Sequence, residues 1–188
     1  MFKNFVISTN HQKVLSFLAK FSDQEFYERE IARKIGISTG STNKVLNDLF
    51  SNGLLKRRLE GKMYFYIIDE THPIFKYFKI LNNILLLLPL VDKLKSLAKR
   101  IILYGSCADG KDTSTSDIDL FIVSEERKRI LQIIGDYSLG KGFEDIRIQP
   151  IVQSSIELLR SEKDDKEFLS LIREGIVLWE RPMDESRF

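Results

Sequence analysis

The stretch from Lys99 to Val123 limits the fold more than any other part of the chain. Lys99-Arg100-Ile101-Ile102-Leu103-Tyr104 reads as a strand that runs into Gly105-Ser106. Ten residues later Asp117-Ile118-Asp119 opens a second apolar strand, Leu120-Phe121-Ile122-Val123. Residues i and i+2 of a strand point to one face. Asp117 and Asp119 therefore project together, while Ile118 and Leu120 turn into a core. Two carboxylates held side by side repel unless a cation lies between them. Mg²⁺ suits such a pair, since it takes one or two carboxylates and completes its shell with substrate phosphates. Gly105 lets the backbone approach a phosphate closely, and Ser106 adds a hydroxyl and N–H groups beside it.

Strand, Gly-Ser, ten-residue loop, Asp-x-Asp and strand resembles the signature of the DNA polymerase beta-like nucleotidyltransferase superfamily. The resemblance is to its minimal branch, through Tyr104-Gly105-Ser106-Cys107-Ala108-Asp109-Gly110 and Ser116-Asp117-Ile118-Asp119-Leu120, and extends over about residues 95–180. It implies transfer of a nucleoside monophosphate from a nucleoside triphosphate to a hydroxyl or similar acceptor. Gly105 and Ser106 would contact the nucleotide. Asp117 and Asp119 would bind metal, in a two-ion arrangement completed by a third acid on a neighbouring strand. In Phe143-Glu144-Asp145-Ile146-Arg147-Ile148-Gln149-Pro150 the alternation puts Asp145, Arg147 and Gln149 on one face and Ile146 and Ile148 on the other. Asp-Ile-Arg-Ile-x-Pro is similar to the third-acid strand of the polymerase branch, which makes Asp145 the candidate third catalytic and metal-binding acid. The alternative is that Gln149 takes that place, in a site that senses a nucleotide without turning it over. The branch includes antitoxin-like members that modify a partner protein, so the acceptor is either a protein or a small molecule. A polymerase role is not expected, since the chain lacks length for separate thumb and fingers regions.

The front of the chain is organised differently. Val14, Leu15, Leu18 and Phe21 give His11–Phe21 a helical apolar face. Asp23 is placed to cap a second helix, about Glu25–Ile35, which Gly36 ends. Ser38 is an N-cap for a third helix, about Thr39–Phe50. Two strands, Leu54–Leu59 and Met63–Ile68, flank Glu60-Gly61-Lys62 as a hairpin. Three helices followed by a hairpin predict a winged helix-turn-helix. The runs Glu30–Ser38, Ser41–Leu49 and Asn52–Leu55 resemble winged-helix transcriptional regulators of bacteria and archaea over about residues 10–70. Ser41, Thr42, Asn43 and Lys44 would then face a DNA groove, and Arg57 and Arg58 the phosphate backbone.

His72-Pro73 marks a boundary, and the very apolar run 74–88 reads as a helix buried between domains or in a homodimer. Asp92–Lys99 reads as a further short helix. Residues 125–135 and 154–174 read as helical, with a solvated charge cluster at 162–167. Trp179 lies in a closing strand, Gly175–Trp179. The expected α+β architecture is a winged helix-turn-helix over 1–71, a helical linker over 72–98 and a small mixed-sheet nucleotidyltransferase domain over 99–182.

Charge agrees with two roles. The formal net charge of +2 divides into +5 over residues 1–90 and −3 over the remainder, which puts nucleic acid nearer the front. The single cysteine, Cys107, rules out a disulfide framework and a cysteine-rich zinc site, and lies where a small loop-filling residue is needed. The longest apolar run, Ile84–Val91, is interrupted by Pro89 and too short to span a bilayer. With no apolar signal core at Met1–Phe5, a cytoplasmic location without membrane contact is expected. The sequence thus supports a Mg²⁺-dependent nucleotidyltransferase acting on a nucleoside triphosphate and carrying a DNA-binding module. The alternative is a DNA-binding regulator, or antitoxin-like protein, whose transferase-like domain only senses a nucleotide.

Overall fold

Thr9 starts the first helix in the computed structural model, which describes residues 9–157 and 166–182. Its hydroxyl accepts from Gln12 N at 3.2 Å, and Gln12 Oε1 accepts from Thr9 N at 3.1 Å, a reciprocal cap on α1 (Asn10–Lys20). A two-residue strand, β1 (Phe26–Tyr27), precedes α2 (Glu28–Ile35). Gly36 closes α2 at φ 72°, the left-handed turn expected of it. Ser38 Oγ accepts from Ser41 N and caps α3 (Thr39–Ser51). The hairpin follows as β2 (Leu55–Glu60) and β3 (Met63–Ile68), and β1 joins it in the order β1-β3-β2, all antiparallel. Val14, Phe17, Leu18, Ile31, Leu46, Leu49, Tyr66 and Ile68 form the core of this half.

Asp23 departs from its expected role. Strand β1 occupies the place of the first turn expected from Glu25, and Asp23 instead accepts from Ser114 N at 2.9 Å and Ser114 Oγ at 2.7 Å, across the boundary between the two halves.

The apolar run forms one long helix, α4 (Ile74–Leu94), which passes through Pro89 without stopping. The separate helix expected from Asp92 is therefore its last turn. Phe75 joins the N-terminal core, while Leu86, Leu87, Leu90, Val91 and Leu94 join the C-terminal one. The helix is thus the joint between the halves, with Ile74, Tyr77 and Leu81 left exposed. Among the described residues it alone is long and apolar enough to cross a membrane, and half of that window is buried inside the protein.

The second half is built on a four-stranded mixed sheet in the order β6-β5-β4-β7, from β4 (Arg100–Tyr104), β5 (Ile118–Val123), β6 (Ile148–Gln153) and β7 (Ile176–Glu180). Strand β4 is antiparallel to β5 and β7, and β5 is parallel to β6. A short turn of helix, α5 (Ser106–Asp109), follows β4, α6 (Arg127–Gly135) follows β5, and α7 (Lys166–Arg173) precedes β7. Ile101, Leu103, Ile118, Leu120 and Ile122 face α4 and α6. Ile102, Phe121 and Val123 face Leu169 and Ile172 of α7. The alternation expected of an internal strand is met on both faces of the sheet. Residues 162–165 of the expected charge cluster, and the tail beyond Pro182, lie outside the described residues.

Candidate functional site

Strand β4 ends at Tyr104, and the chain turns at Gly105 with φ 69° and ψ −155°. Only glycine adopts that conformation without strain. The close neighbour adds a second reason: a Cβ on Gly105 would lie 2.8 Å from Asp119 Oδ2. Asp119 is the second residue of β5 and pairs with Tyr104 across the sheet. Asp117 is two residues earlier, on the same face, and both acids are half-buried. The structure thus brings Gly105, Ser106, Asp117 and Asp119 to the end of two central strands.

Electrostatics mark this pair. Burial first, and the neighbouring Asp117 second, raise the Asp119 carboxyl above its ordinary range. The Tyr104 hydroxyl is also raised, by burial and then by Asp119. A site that disfavours its own negative charge in this way gains from a bound cation.

The third acid does not arrive. Strand β6 is parallel to β5 in the register Ile118↔Ile148 and Asp119↔Gln149, and Ile118 N donates to Arg147 O at 2.9 Å. Extending that register would set Asp145 opposite Thr115, in the loop before β5 begins. Asp145 is instead exposed in a turn closed by Ile146 N donating to Phe143 O. Among the described residues no three His, Cys, Asp or Glu side chains are placed to hold a metal together. The expectation for Asp145 is therefore corrected. Ile146 and Ile148 do pack toward the helices, as strand parity requires. The face is right and its member wrong, because the paired strand starts only at Ile148. Gln149 stands beside Asp119, and its Nε2 donates to Asp117 Oδ2 at 3.2 Å.

The loop between the Gly-Ser turn and Asp117 is held from outside its own domain. Asp112 is fully buried. Its carboxylate accepts from Lys20 Nζ of α1 at 2.8 Å and from Asn83 Nδ2 of α4 at 3.1 Å. The buried Lys79 Nζ donates to Asp112 O and to Ser22 Oγ. Ser16 Oγ donates to Asn82 Oδ1 beside this cluster. Sequence reasoning missed these residues, although Lys79, Asn82 and Asn83 stand out as polar groups inside an apolar helix. Cys107 lies beneath the loop, with Sγ donating to Asp117 O at 3.4 Å. Burial pushes its thiol up to about 11, as suits a loop-filling residue rather than a nucleophile.

The residues expected at nucleic acid fare unevenly. Thr42 is fully buried and its Oγ1 donates to Ser38 O, so it cannot reach a base. Arg58 pairs at the surface with Glu25 and Glu60, which raise its guanidinium further above its ordinary range, so a phosphate would compete with two carboxylates for it. Asn43 is exposed but donates to Glu28 Oε2 at 2.6 Å and accepts from Asn47 Nδ2 at 3.0 Å. Ser41 stays partly exposed and Lys44 exposed on α3. The Arg57 guanidinium lies between the Phe50 and Tyr64 rings, 4.0 and 4.5 Å from their centroids.

Comparison with known proteins locates the C-terminal half. No curated protein matches the chain. A crystal structure of a candidate nucleotidyltransferase from Sulfolobus solfataricus aligns with 56% of this chain and 87% of its own, at 18% identity and a TM-score of 0.37. The Polymerase beta, Nucleotidyltransferase family matches residues 91–184, which span the Gly-Ser turn, both strand aspartates and Gln149. That segment is half of the chain, and the protein belongs to the polymerase beta nucleotidyltransferase family.

Proposed function

We propose that this protein binds a nucleoside triphosphate with Mg²⁺ at Asp117 and Asp119 and transfers its nucleoside monophosphate to a protein or small-molecule acceptor. The supporting observation is the pair of half-buried carboxylates on one face, beside the Gly105 turn, with Asp119 raised by burial and by its neighbour. The donor set fits a hard divalent ion that completes its shell with phosphate oxygens. When bound, the ion offsets the charge of the triphosphate and of the transition state. Gly105 gives the phosphates access to the main chain, and Ser106 offers them its hydroxyl. An acceptor oxygen forms a bond to the α-phosphorus as the bond to the departing diphosphate breaks. Gln149 cannot take the acceptor proton, which leaves for solvent or is already absent from an ionised acceptor.

One observation favours a second reading. With Gln149 in place of a third carboxylate, the site would bind the metal nucleotide and regulate without turnover. Incubation with labelled nucleoside triphosphates, Mg²⁺ and host extract separates the two. Transfer predicts a labelled product, reduced about 10²- to 10³-fold in Asp117→Asn, the scale seen when a transition-state charge loses one stabilising group. The sensor reading predicts calorimetric nucleotide binding, lost in the Asp117→Asn/Asp119→Asn variant, with no product. Absence of binding overturns both.

In the N-terminal half the helices α1–α3 and the β2–β3 hairpin support a winged helix-turn-helix that contacts nucleic acid, with Lys44 and Arg57 still exposed for that task. The expected signature is binding that weakens steeply with added salt.

A further inference from the structure

The residues that would read a duplex are largely occupied, yet the same half carries a groove of different chemistry. Strand β1 pairs with β3 only at Phe26↔Tyr66 and Tyr27↔Phe65. Met63 and Tyr64 therefore lie past its end, and a groove of about 620 Å³ opens between them, the start of α2 and α3. Tyr27, Tyr64 and Tyr66 line it together with Arg29, Lys62 and Asn43. Tyr66 is buried and forms the floor, whereas Tyr64 keeps 44% of its surface exposed. Arg29 and Lys62 are exposed, and neither makes an ion pair among the described residues. The groove's one carboxylate, Glu28, already accepts from Asn43. The size is that of a ligand-binding cleft.

Aromatic rings interleaved with unpaired cations suit unstacked bases on a charged backbone. A duplex hides the faces of its bases, and its sequence is read only by side chains that reach base edges in a groove. Here Thr42 is buried and Arg58 is shared with two surface carboxylates. We propose that the groove between β3 and α2 binds single-stranded nucleic acid, with a base stacked on the face of Tyr64 that Arg57 leaves open and the backbone held by Arg29 and Lys62. This rests on the nucleic-acid reading of the N-terminal half and is independent of transfer at Asp117 and Asp119.

The test uses the full chain and fluorescence anisotropy with labelled oligo-dT, oligo-rU and a mixed-sequence duplex, each about twelve nucleotides long, within single-strand site sizes. The single strands should bind at least about tenfold tighter than the duplex at about 50 mM salt. The dT and rU arms identify whether DNA or RNA is preferred. Tyr64→Ala should weaken single-strand binding about 5- to 150-fold, the stacking range for one base. Tyr64→Phe, which keeps the ring, should bind as the parent does. Arg29→Ala with Lys62→Ala should flatten the salt slope by about 1.4, two contacts at about 0.7 each. A duplex bound as tightly as the single strands overturns this inference and leaves the nucleic-acid reading intact. Unchanged binding in both Tyr64→Ala and the double cation variant also overturns it. No binding to any of the three overturns both.

Discussion

Replacing Lys20 by Met would leave Asp112 without its cation in a place that water does not reach. The two side chains are 0% and 1% exposed, with Nζ and Oδ2 2.8 Å apart. Removing one partner of a buried ion pair costs about 3–5 kcal/mol, because the remaining charge stays desolvated. Asn83 Nδ2 still donates to the other carboxylate oxygen at 3.1 Å, so the lower end, about 3 kcal/mol, is expected. That is a large share of a total stability of about 5–15 kcal/mol. Asp112→Asn should cost a similar amount, since Lys20 would then face a neutral amide and the weak acceptor Cys107 Sγ at 3.6 Å. The double variant should cost little more than either single one, giving a coupling of about 2 kcal/mol in the cycle. Urea unfolding followed by helical circular dichroism and by the fluorescence of the single Trp179 on β7 provides the assay. The pair joins α1 to the Gly-Ser loop, so both probes should move together to lower urea. A cost below about 1 kcal/mol, the scale of an exposed pair, would refute this reasoning. So would a Trp179 transition that stays in place while the helical signal shifts.

Three further outcomes follow from single residues. Gly105→Ala should destabilise the fold by about 1–3 kcal/mol through backbone strain, and it should abolish nucleotide binding by calorimetry, because the new methyl group meets Asp119 Oδ2. Cys107 should resist a thiol reagent at mild alkaline pH in the folded protein and react fully in guanidinium, since burial holds its thiol near 11. Asp69 is held at about 2, first by Lys56 and then by the Thr71 hydroxyl and N–H. A depressed carboxyl contributes stability above its unfolded value and loses it as pH falls through the folded one. That contribution should fade between about pH 4 and pH 2, and NMR titration of Lys56→Ala should show the Asp69 midpoint move up.

The order of elements was legible because each carries local chemistry. Gly36 and Ser38 mark one turn, Gly61 another, and the alternation after Asp117 marks β5. The paired carboxylates were legible for the same reason, since strand parity needs only two residues. Asp145 was not, because its role depended on where β6 begins pairing, and a parallel partner distant in sequence sets that register. Within Asp145-Ile146-Arg147-Ile148-Gln149 the face is readable and the starting point is not. Pro89 marked a false break, as helix packing on both sides outweighs one lost backbone bond. Thr42 and Arg58 both have partners that local sequence does not show. A polar side chain in a helix or hairpin looks available until its partners, Ser38 O in one case and Glu25 with Glu60 in the other, are known.

The family match begins at residue 91, inside α4, yet the transferase loop does not stand on residues 91–184 alone. Asp112 takes its cation from Lys20 and an amide from Asn83, and its carbonyl accepts from Lys79. Ser114 is fixed by Asp23. The core above the sheet also needs Leu86, Leu87 and Leu90. All of these supporting residues precede the matched segment. A fragment cut at its start would expose that core face and leave Asp112 without its buried partners. The loop that leads from Ser106 to Asp117 would lose its outer wall while keeping every residue of the Gly-Ser and Asp-x-Asp pattern. In this chain the signature supplies the chemistry of the site, and α1 with the first turns of α4 supplies its shape. The two halves therefore form one structural unit at the point where a nucleotide would be held.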